Sequence, residues 1–404
     1  MQRISIASAG PSPSGSRLAM LPASQRQPDR NMDVTAPRPR RSFFAYASAM
    51  LGLLSVFGVL CFHYPELLTS KEFRAVYDEG FARNLLLLGL VAAFILGTLA
   101  ILRDRNKRIA TIGVGSATLA VLLGGTNVQF DAIGETPFSL GLDWFVISLF
   151  FSALVFVPLE RYLGKRTLSP LRKGWRTDIA YFFMSHVLVQ FILILVTAST
   201  STIAGLAAFP SLKDAIQSLP VWGQFLIAVF VADMAQALLH RAYHNIPWLW
   251  RFHAVHHSSR EMDWLAGSRI HFVEIVLTRS AVLLPLLVLG FSTPAVNAYV
   301  ILVGLQAVVA HSNIGLRFGW LEYLLVLPRY HHWPHARQQD YIDVNYAIHL
   351  PLVDMLMGTF KLPRDQAEWP QEYGVMKLET VPKGIVEQHL MPFRGKKTFD
   401  DYVD

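Results

Sequence analysis

Apolar stretches about as long as a bilayer crossing recur along this chain, near residues 43 to 62, 84 to 102, 109 to 123, 143 to 159, 179 to 207 and 221 to 239. A helix needs about 20 predominantly apolar residues to span the hydrocarbon, where every backbone N–H and C=O must be satisfied within the segment itself. The stretch from 109 to 123 is the shortest. Only 16% of the residues are charged against 52% hydrophobic, well below the roughly 25% charged of a soluble domain. The chain therefore reads as an all-α integral membrane protein, a multi-span helical bundle.

Charge sets the orientation. The RPRR of the N-terminal tail, the RDRNKR turn at 103 to 108 and the ERYLGKR…LRKGWR stretch at 160 to 176 are basic, whereas the loop from 124 to 142 has no Lys or Arg. Basic loops stay cytoplasmic, so six crossings from a cytoplasmic N-terminus return the chain to that side at His240. The next apolar stretch, 280 to 310, is too short for two full crossings and is interrupted by Pro285, Gly290 and Pro294. It is expected to be a short or re-entrant hairpin that brings His311 back to the same side. The expected setting is a bacterial inner membrane. The formal charge of +7 is then membrane topology rather than a nucleic-acid surface, because the basic residues gather beside the spans.

The expected organisation has four parts. Residues 1–42, rich in Ser, Pro and Arg, form a disordered basic tail; 43–139 form an N-terminal transmembrane region of unknown role; 140–395 form a second, histidine-bearing domain; 396–404 form a C-terminal tail. The lone Cys61 excludes an internal disulfide. GVGSAT at 113 to 118 lies in an apolar stretch with no strand before it, so helix packing explains it better than nucleotide binding.

Ten of the fourteen histidines fall between His240 and His335. They are His240 and His244 in HRAYH, His253, His256 and His257 in HAVHH, the single His271 and His311, and His331, His332 and His335 in HHWPH. Outside this window 4 histidines are spread over 308 residues, far too sparse a density to fill the window by chance. Residues three or four apart share a helix face, so each cluster can aim imidazoles at one point. Imidazole suits Zn, Cu, Fe and Ni, and a tetrahedral ion takes four ligands, so this many imidazoles imply two metals. Ligating rings need their other nitrogen fixed; the candidates for that role are Asp233, Glu274, Asn313, Asp340, Asp343 and Asn345. Asp233 is costly to place in a span without a partner. His271 is equally suited to ligand or outer partner, and His63, His186, His349 and His389 are read as structural.

HRAYH, HAVHHSS, RIHFVE, HSN and PRYHHWPHARQQDYIDVNYAIHLP, in this order after several spans, resemble the fatty acid hydroxylase superfamily, also called the sterol desaturase family. The resemblance covers about residues 140 to 395 and does not extend over the first 140. It implies a centre of two iron ions held by histidines, which uses O2 to attack an unactivated C–H bond of a lipid and so hydroxylates or desaturates it. Implied substrates are a fatty acyl chain, a sterol-like or hopanoid ring, a carotenoid, or an amino lipid such as an ornithine lipid. Two features qualify it. Position 334 is Pro where bacterial members usually carry His in HHWHH, so either His332 substitutes, one metal keeps an open position, or the site is impaired. Nothing in the chain resembles a dinucleotide fold, an iron–sulfur cysteine set or a haem domain, so electrons must come from a separate donor, a ferredoxin or a b-type cytochrome with its reductase. Two other readings stand open at this stage: a zinc-binding or metal-transporting membrane protein, and an inactive scaffold of the same fold.

Overall fold

The apolar stretches form helices whose ends fall where polar residues begin. The computed structural model describes residues 43–70, 78–104, 107–128, 140–206, 210–365, 367–375 and 381–394, with the side chains of 189, 190 and 193–206 outside the description. The expected tails at 1–42 and 396–404 lie outside the described residues. Among the described residues there is no strand, only two isolated bridges, Gly164 to Ile314 and Ala336 to Tyr373.

Helices α1 (Phe43–His63), α2 (Glu79–Arg103) and α3 (Arg108–Leu122) pack against one another. Small side chains allow the close approach: Ala93, Ala100, Ala110, Ala117 and Ala120 are fully buried, and a Cβ on Gly52 would collide with the Gly113 carbonyl. Asp78 caps α2 by accepting from Phe81 N at 3.0 Å.

The rest of the bundle comprises α4 (Leu142–Leu163), α5 (Trp175–Leu206), α6 (Pro210–Gln217), α7 (Val221–Asn245), α8 (Pro247–His253), α9 (Phe272–Val288), α10 (Thr293–His311), α11 (Pro328–His332), α12 (Pro351–Met357) and α13 (Ile385–Leu390). Ala228, Val229 and Ala232 of α7, Ile275, Val282, Leu283 and Leu286 of α9, and Val296, Tyr299 and Val303 of α10 share one apolar core. Large apolar side chains such as Leu85, Leu88, Leu226, Ile301 and Leu305 point outward, as expected of helices solvated by lipid rather than water.

Six helical segments are long and apolar enough to cross a membrane: α1, α2, Arg108–Asn127, α4, α7 and α10. The expected re-entrant hairpin at 280 to 310 takes a different form. Pro285 lies inside α9 rather than ending it, and the reversal is confined to Leu289–Ser292, where Gly290 adopts φ +78°. Pro294 falls in the first turn of α10, where its missing N–H costs nothing. The second arm is thus a 19-residue helix, longer than the positions of the prolines suggest. Both arms still begin and end beside the histidines, since His271 caps α9 and His311 closes α10.

Candidate metal centre

His240 and His244 lie one turn apart at the end of α7, and Ile246-Pro247 then turns the chain directly into α8, whose last residue is His253. His256 and His257 follow in a tight 3₁₀ turn, which swings them to either side of the seam. His311 ends α10 and His331 lies in the last turn of α11. That helix stops at His332, just before Pro334, which has no N–H to continue it, so His335 comes from the turn beyond it.

The eight rings gather in two groups, His240, His244, His253 and His257 in one and His256, His311, His331 and His335 in the other. In each group one nitrogen per ring lies within 4.8 Å of the other three. The groups adjoin, with the His257 and His335 rings stacked at 4.4 Å and His253 and His256 at 5.4 Å.

The outer nitrogens show which inner ones are free. Nδ1 of His240 faces the Tyr346 carbonyl at 2.9 Å, that of His253 the Glu274 carboxylate at 2.7 Å, and that of His244 Asp343 at 3.3 Å. In the second group Nδ1 of His256 faces the Arg269 carbonyl at 3.0 Å and that of His311 the Ala307 carbonyl at 2.7 Å. The carbonyl oxygens can only accept, so the neutral rings of His240, His256 and His311 donate through Nδ1 and carry a bare lone pair on Nε2; ionised Asp343 and Glu274 would fix His244 and His253 in the same way. The bare Nε2 atoms of His256 and His311 lie 3.3 Å apart, and Nε2 of His253 and His257 lie 3.0 Å apart, of His311 and His331 3.0 Å, and of His331 and His335 3.2 Å. Nε2 of His240 and of His244 is buried without any hydrogen-bond partner. Converging lone pairs repel unless a cation lies between them, so the donor set fits a metal in each group.

The surroundings keep the rings neutral. Burial, followed by the neighbouring imidazoles, pushes His253, His256, His257, His331 and His335 well below the ordinary histidine value. Among the outer partners, Asp343 is held below the usual carboxylate range by its hydrogen bond to His244.

The remaining sequence-predicted residues lie elsewhere. His332 stands outside both groups: Nδ1 meets the Tyr373 hydroxyl at 2.8 Å and Nε2 the His311 carbonyl at 3.3 Å. His271 caps α9 by accepting from Val273 N at 3.1 Å and stacks on His389 at 4.6 Å. Asp233 accepts from the N–H groups of Ile348, His349 and Leu350 at 2.7 to 3.1 Å and touches no imidazole ligand. Its position in a span is explained by those orphan donors at the start of α12. Asn313 pairs with the backbone of Arg166, and Asn345, at φ +57°, pairs with the backbone of Lys361. The exposed Asp340 offers only its carbonyl, to Lys361 Nζ. Of the six predicted outer partners, Glu274 and Asp343 reach a ring.

Sequence reasoning missed the scaffold behind these contacts. Asp354, fully buried, accepts from Tyr346 N, Ala347 N and the Tyr330 hydroxyl, each at 2.8 Å, and so fixes the carbonyl that meets His240. Arg269, whose carbonyl meets His256, is tied to Asp178 at 2.6 Å, and Asp178 is shared with Arg172, which also pairs with Asp263. No short motif marks either arrangement. A cavity of about 50 Å³ adjoins the first group, walled by His244, His257, Trp250, Pro334 and Val375. That volume has room for a few water-sized molecules.

An all-helical membrane protein with two abutting four-histidine groups at one end of its bundle is the class defined by this fold and site. Residues 225–359 match the fatty acid hydroxylase family. Over 291 residues the chain is 27% identical to an ornithine lipid hydroxylase of Rhizobium tropici, covering 69% of this chain and 83% of that protein. It is 26% identical over 203 residues to a very-long-chain aldehyde decarbonylase of Oryza sativa subsp. japonica, 43% of this chain and 31% of that one. Against the alkylglycerol monooxygenase of Homo sapiens it is 27% identical over 150 residues, 37% of this chain and 33% of that one. No solved structure matches.

Proposed function

We propose that the chain is a membrane-bound non-haem di-iron oxidoreductase that uses O2 to hydroxylate or desaturate a C–H bond of a lipid. The observation that carries this reading is the pair of four-imidazole groups whose ring nitrogens converge within 4.8 Å of one another. Iron bound there would supply the oxygen-activating chemistry that an unactivated C–H bond requires. The chain's own residues do the positioning. Glu274, Asp343 and the carbonyls of Tyr346, Arg269 and Ala307 orient five of the eight rings, and the apolar surroundings keep the rings deprotonated. The two groups are complete without a donor at position 334, which weighs against the inactive scaffold.

The similarity to the ornithine lipid hydroxylase along most of that protein's length favours an amino lipid over sterol-like or carotenoid substrates. Electrons are supplied by a separate protein, a ferredoxin or a b-type cytochrome with its reductase, docking on the cytoplasmic side of a bacterial inner membrane. Four imidazoles also suit zinc, so metal analysis is the first test. Two iron ions per chain, and an ornithine lipid that gains one oxygen atom when the purified chain is given O2 and a reducing system, are expected. Zinc in place of iron, or an iron-loaded chain that oxidises no lipid, would overturn the reading. Orientation is tested separately by cysteine labelling in a Cys61→Ser background: positions in 160 to 176 should label from the cytoplasm and positions in 124 to 142 from the far side.

A further inference from the structure

Arg279 is the only Lys or Arg between residues 272 and 311. It lies on α9 four residues after Ile275 and three and four before Val282 and Leu283, so it shares the helix face that these buried residues turn into the apolar core. Among the described residues it has neither an ion pair nor a hydrogen bond. Of the carboxylates on the helices around it, only Oε2 of Glu274 has neither a hydrogen bond nor an ion pair among the described residues, and five residues along α9 put Glu274 on a different face of the helix from Arg279. Residues 179–206 of α5, 275–288 of α9 and all of α10 contain no Asp or Glu. Asp178 is paired with Arg172 and Arg269, Asp233 is occupied by three backbone N–H groups, and Glu274 reaches His253.

Tyr299 of α10 packs in the same apolar core as Ile275, Val282 and Leu283, the residues that share the Arg279 face of α9. The Tyr299 hydroxyl is buried without a hydrogen-bond partner, and so is Nε2 of His349, whose ring lies 5.6 Å from that of Tyr299. A half-buried guanidinium on the core face of α9, turned into an apolar cluster that also holds the unpartnered Tyr299 hydroxyl, is an expensive arrangement. It becomes favourable when an anion is supplied from outside, because guanidinium holds carboxylate or phosphate with two parallel hydrogen bonds.

We propose that Arg279, together with Tyr299, binds the anionic headgroup of a lipid, a carboxylate or phosphate carried on an apolar chain. Arg279 lies five residues along α9 from Glu274, roughly 7.5 Å down the helix axis, so the headgroup sits just inside the apolar core from the histidine end. A free anion from water has to cross apolar side chains to reach it, whereas a lipid brings its own apolar tail. The inference rests on the lipid-oxidising reading for its purpose, since it states where the charged end of the lipid is held, and its test is independent of turnover.

The test is retention of radiolabelled palmitate by the delipidated full-length chain in detergent. Palmitate and phosphatidic acid should bind and displace one another, while methyl palmitate and inorganic phosphate should do neither. Arg279→Gln should weaken palmitate retention by about tenfold or more, the loss expected for a hydrogen-bonded charge pair, and Arg279→Lys should weaken it less. Palmitate retention by Arg279→Gln equal to that of the unaltered chain, or equal retention of the methyl ester, would overturn the proposal. Displacement of palmitate by inorganic phosphate alone would overturn the assignment to a lipid. Folding is controlled with Arg279→Met. Without lipid it should unfold at no lower temperature than the unaltered chain, because an uncompensated cation has been removed, and palmitate should raise the midpoint of the unaltered chain only. A lower midpoint for Arg279→Met in the absence of lipid would mean that the guanidinium has a partner within the protein. Iron content, read on the same samples, separates the two readings: a chain without iron that still binds palmitate through Arg279 overturns only the oxidoreductase assignment.

Discussion

Glu274→Ala isolates the device that orients one histidine ligand. The Glu274 carboxylate lies 2.7 Å from His253 Nδ1, with both groups buried, and its second oxygen has no hydrogen-bond partner. Removing it leaves His253 free to change tautomer and to turn, so the lone pair on Nε2 no longer has a fixed direction. Loss of such an outer partner costs about 10- to 100-fold in metal affinity, or about 1.4 to 2.7 kcal/mol. A hydrogen bond to a charged group, taken alone, is worth about 1.5 to 3 kcal/mol, so the two routes agree. The effect should be confined to the first group, because His256 and His311 in the second are held by backbone carbonyls that the substitution does not touch. Stability of the metal-free chain should change little, since the lost hydrogen bond is offset by removing a half-satisfied buried carboxylate. The assay is metal retained per chain across a chelator titration. Glu274→Ala should release half of its metal at about tenfold or more lower free chelator than the unaltered chain, with Glu274→Gln, which keeps an accepting carbonyl, in between. A Glu274→Ala curve superimposable on that of the unaltered chain would refute the role assigned to this pair.

His331→Ala should lose the metal of the second group, whereas His332→Ala should keep full metal content and lose about 1 to 3 kcal/mol of stability through its contacts with the Tyr373 hydroxyl and the His311 carbonyl. Metal analysis beside thermal unfolding reads both, and iron loss in His332→Ala at an unchanged unfolding temperature would place that ring in the centre after all. Acidification of the metal-free chain gives a further check. Burial pushes both His271 and His349 from the ordinary 6.5 to about 4. The unfolded chain therefore takes up protons below pH 6.5 that the folded one refuses, and the stability these rings contribute is present above 6.5 and lost as pH falls towards 4. A shift of that size is worth roughly 3 kcal/mol per ring when fully developed. The unfolding midpoint should drop through that window, and less steeply in a His271→Asn, His349→Asn double variant; equal slopes would argue against the assignment.

The spans were legible because lipid leaves the backbone few choices: a run of apolar residues near twenty long has to satisfy its own hydrogen bonds, and α1, α2, α4 and α7 lie over the stretches where that demand is met. The eight gathered histidines were legible for a similar reason, since i, i+4 spacing in α7 and the tight turn after α8 put side chains on one side by covalent geometry alone. Partner choice was not legible. Asp233, Asn313 and Asn345 have the chemistry of a histidine's outer partner, yet each satisfies backbone groups of a distant loop. The acceptors that orient His240, His256 and His311 are main-chain carbonyls of Tyr346, Arg269 and Ala307, and every residue has one, so no sequence pattern singles them out. Position 334 shows the same division. That proline cannot donate to a metal follows from its composition, and that the helix stops at His332 follows from its ring. That the second group would still close around His256, His311, His331 and His335 depends on α10 ending against α11, a contact between elements some twenty residues apart. Pro334 instead lines the cavity beside His244 and His257, so its effect falls on the space next to the first group rather than on the number of ligands in the second.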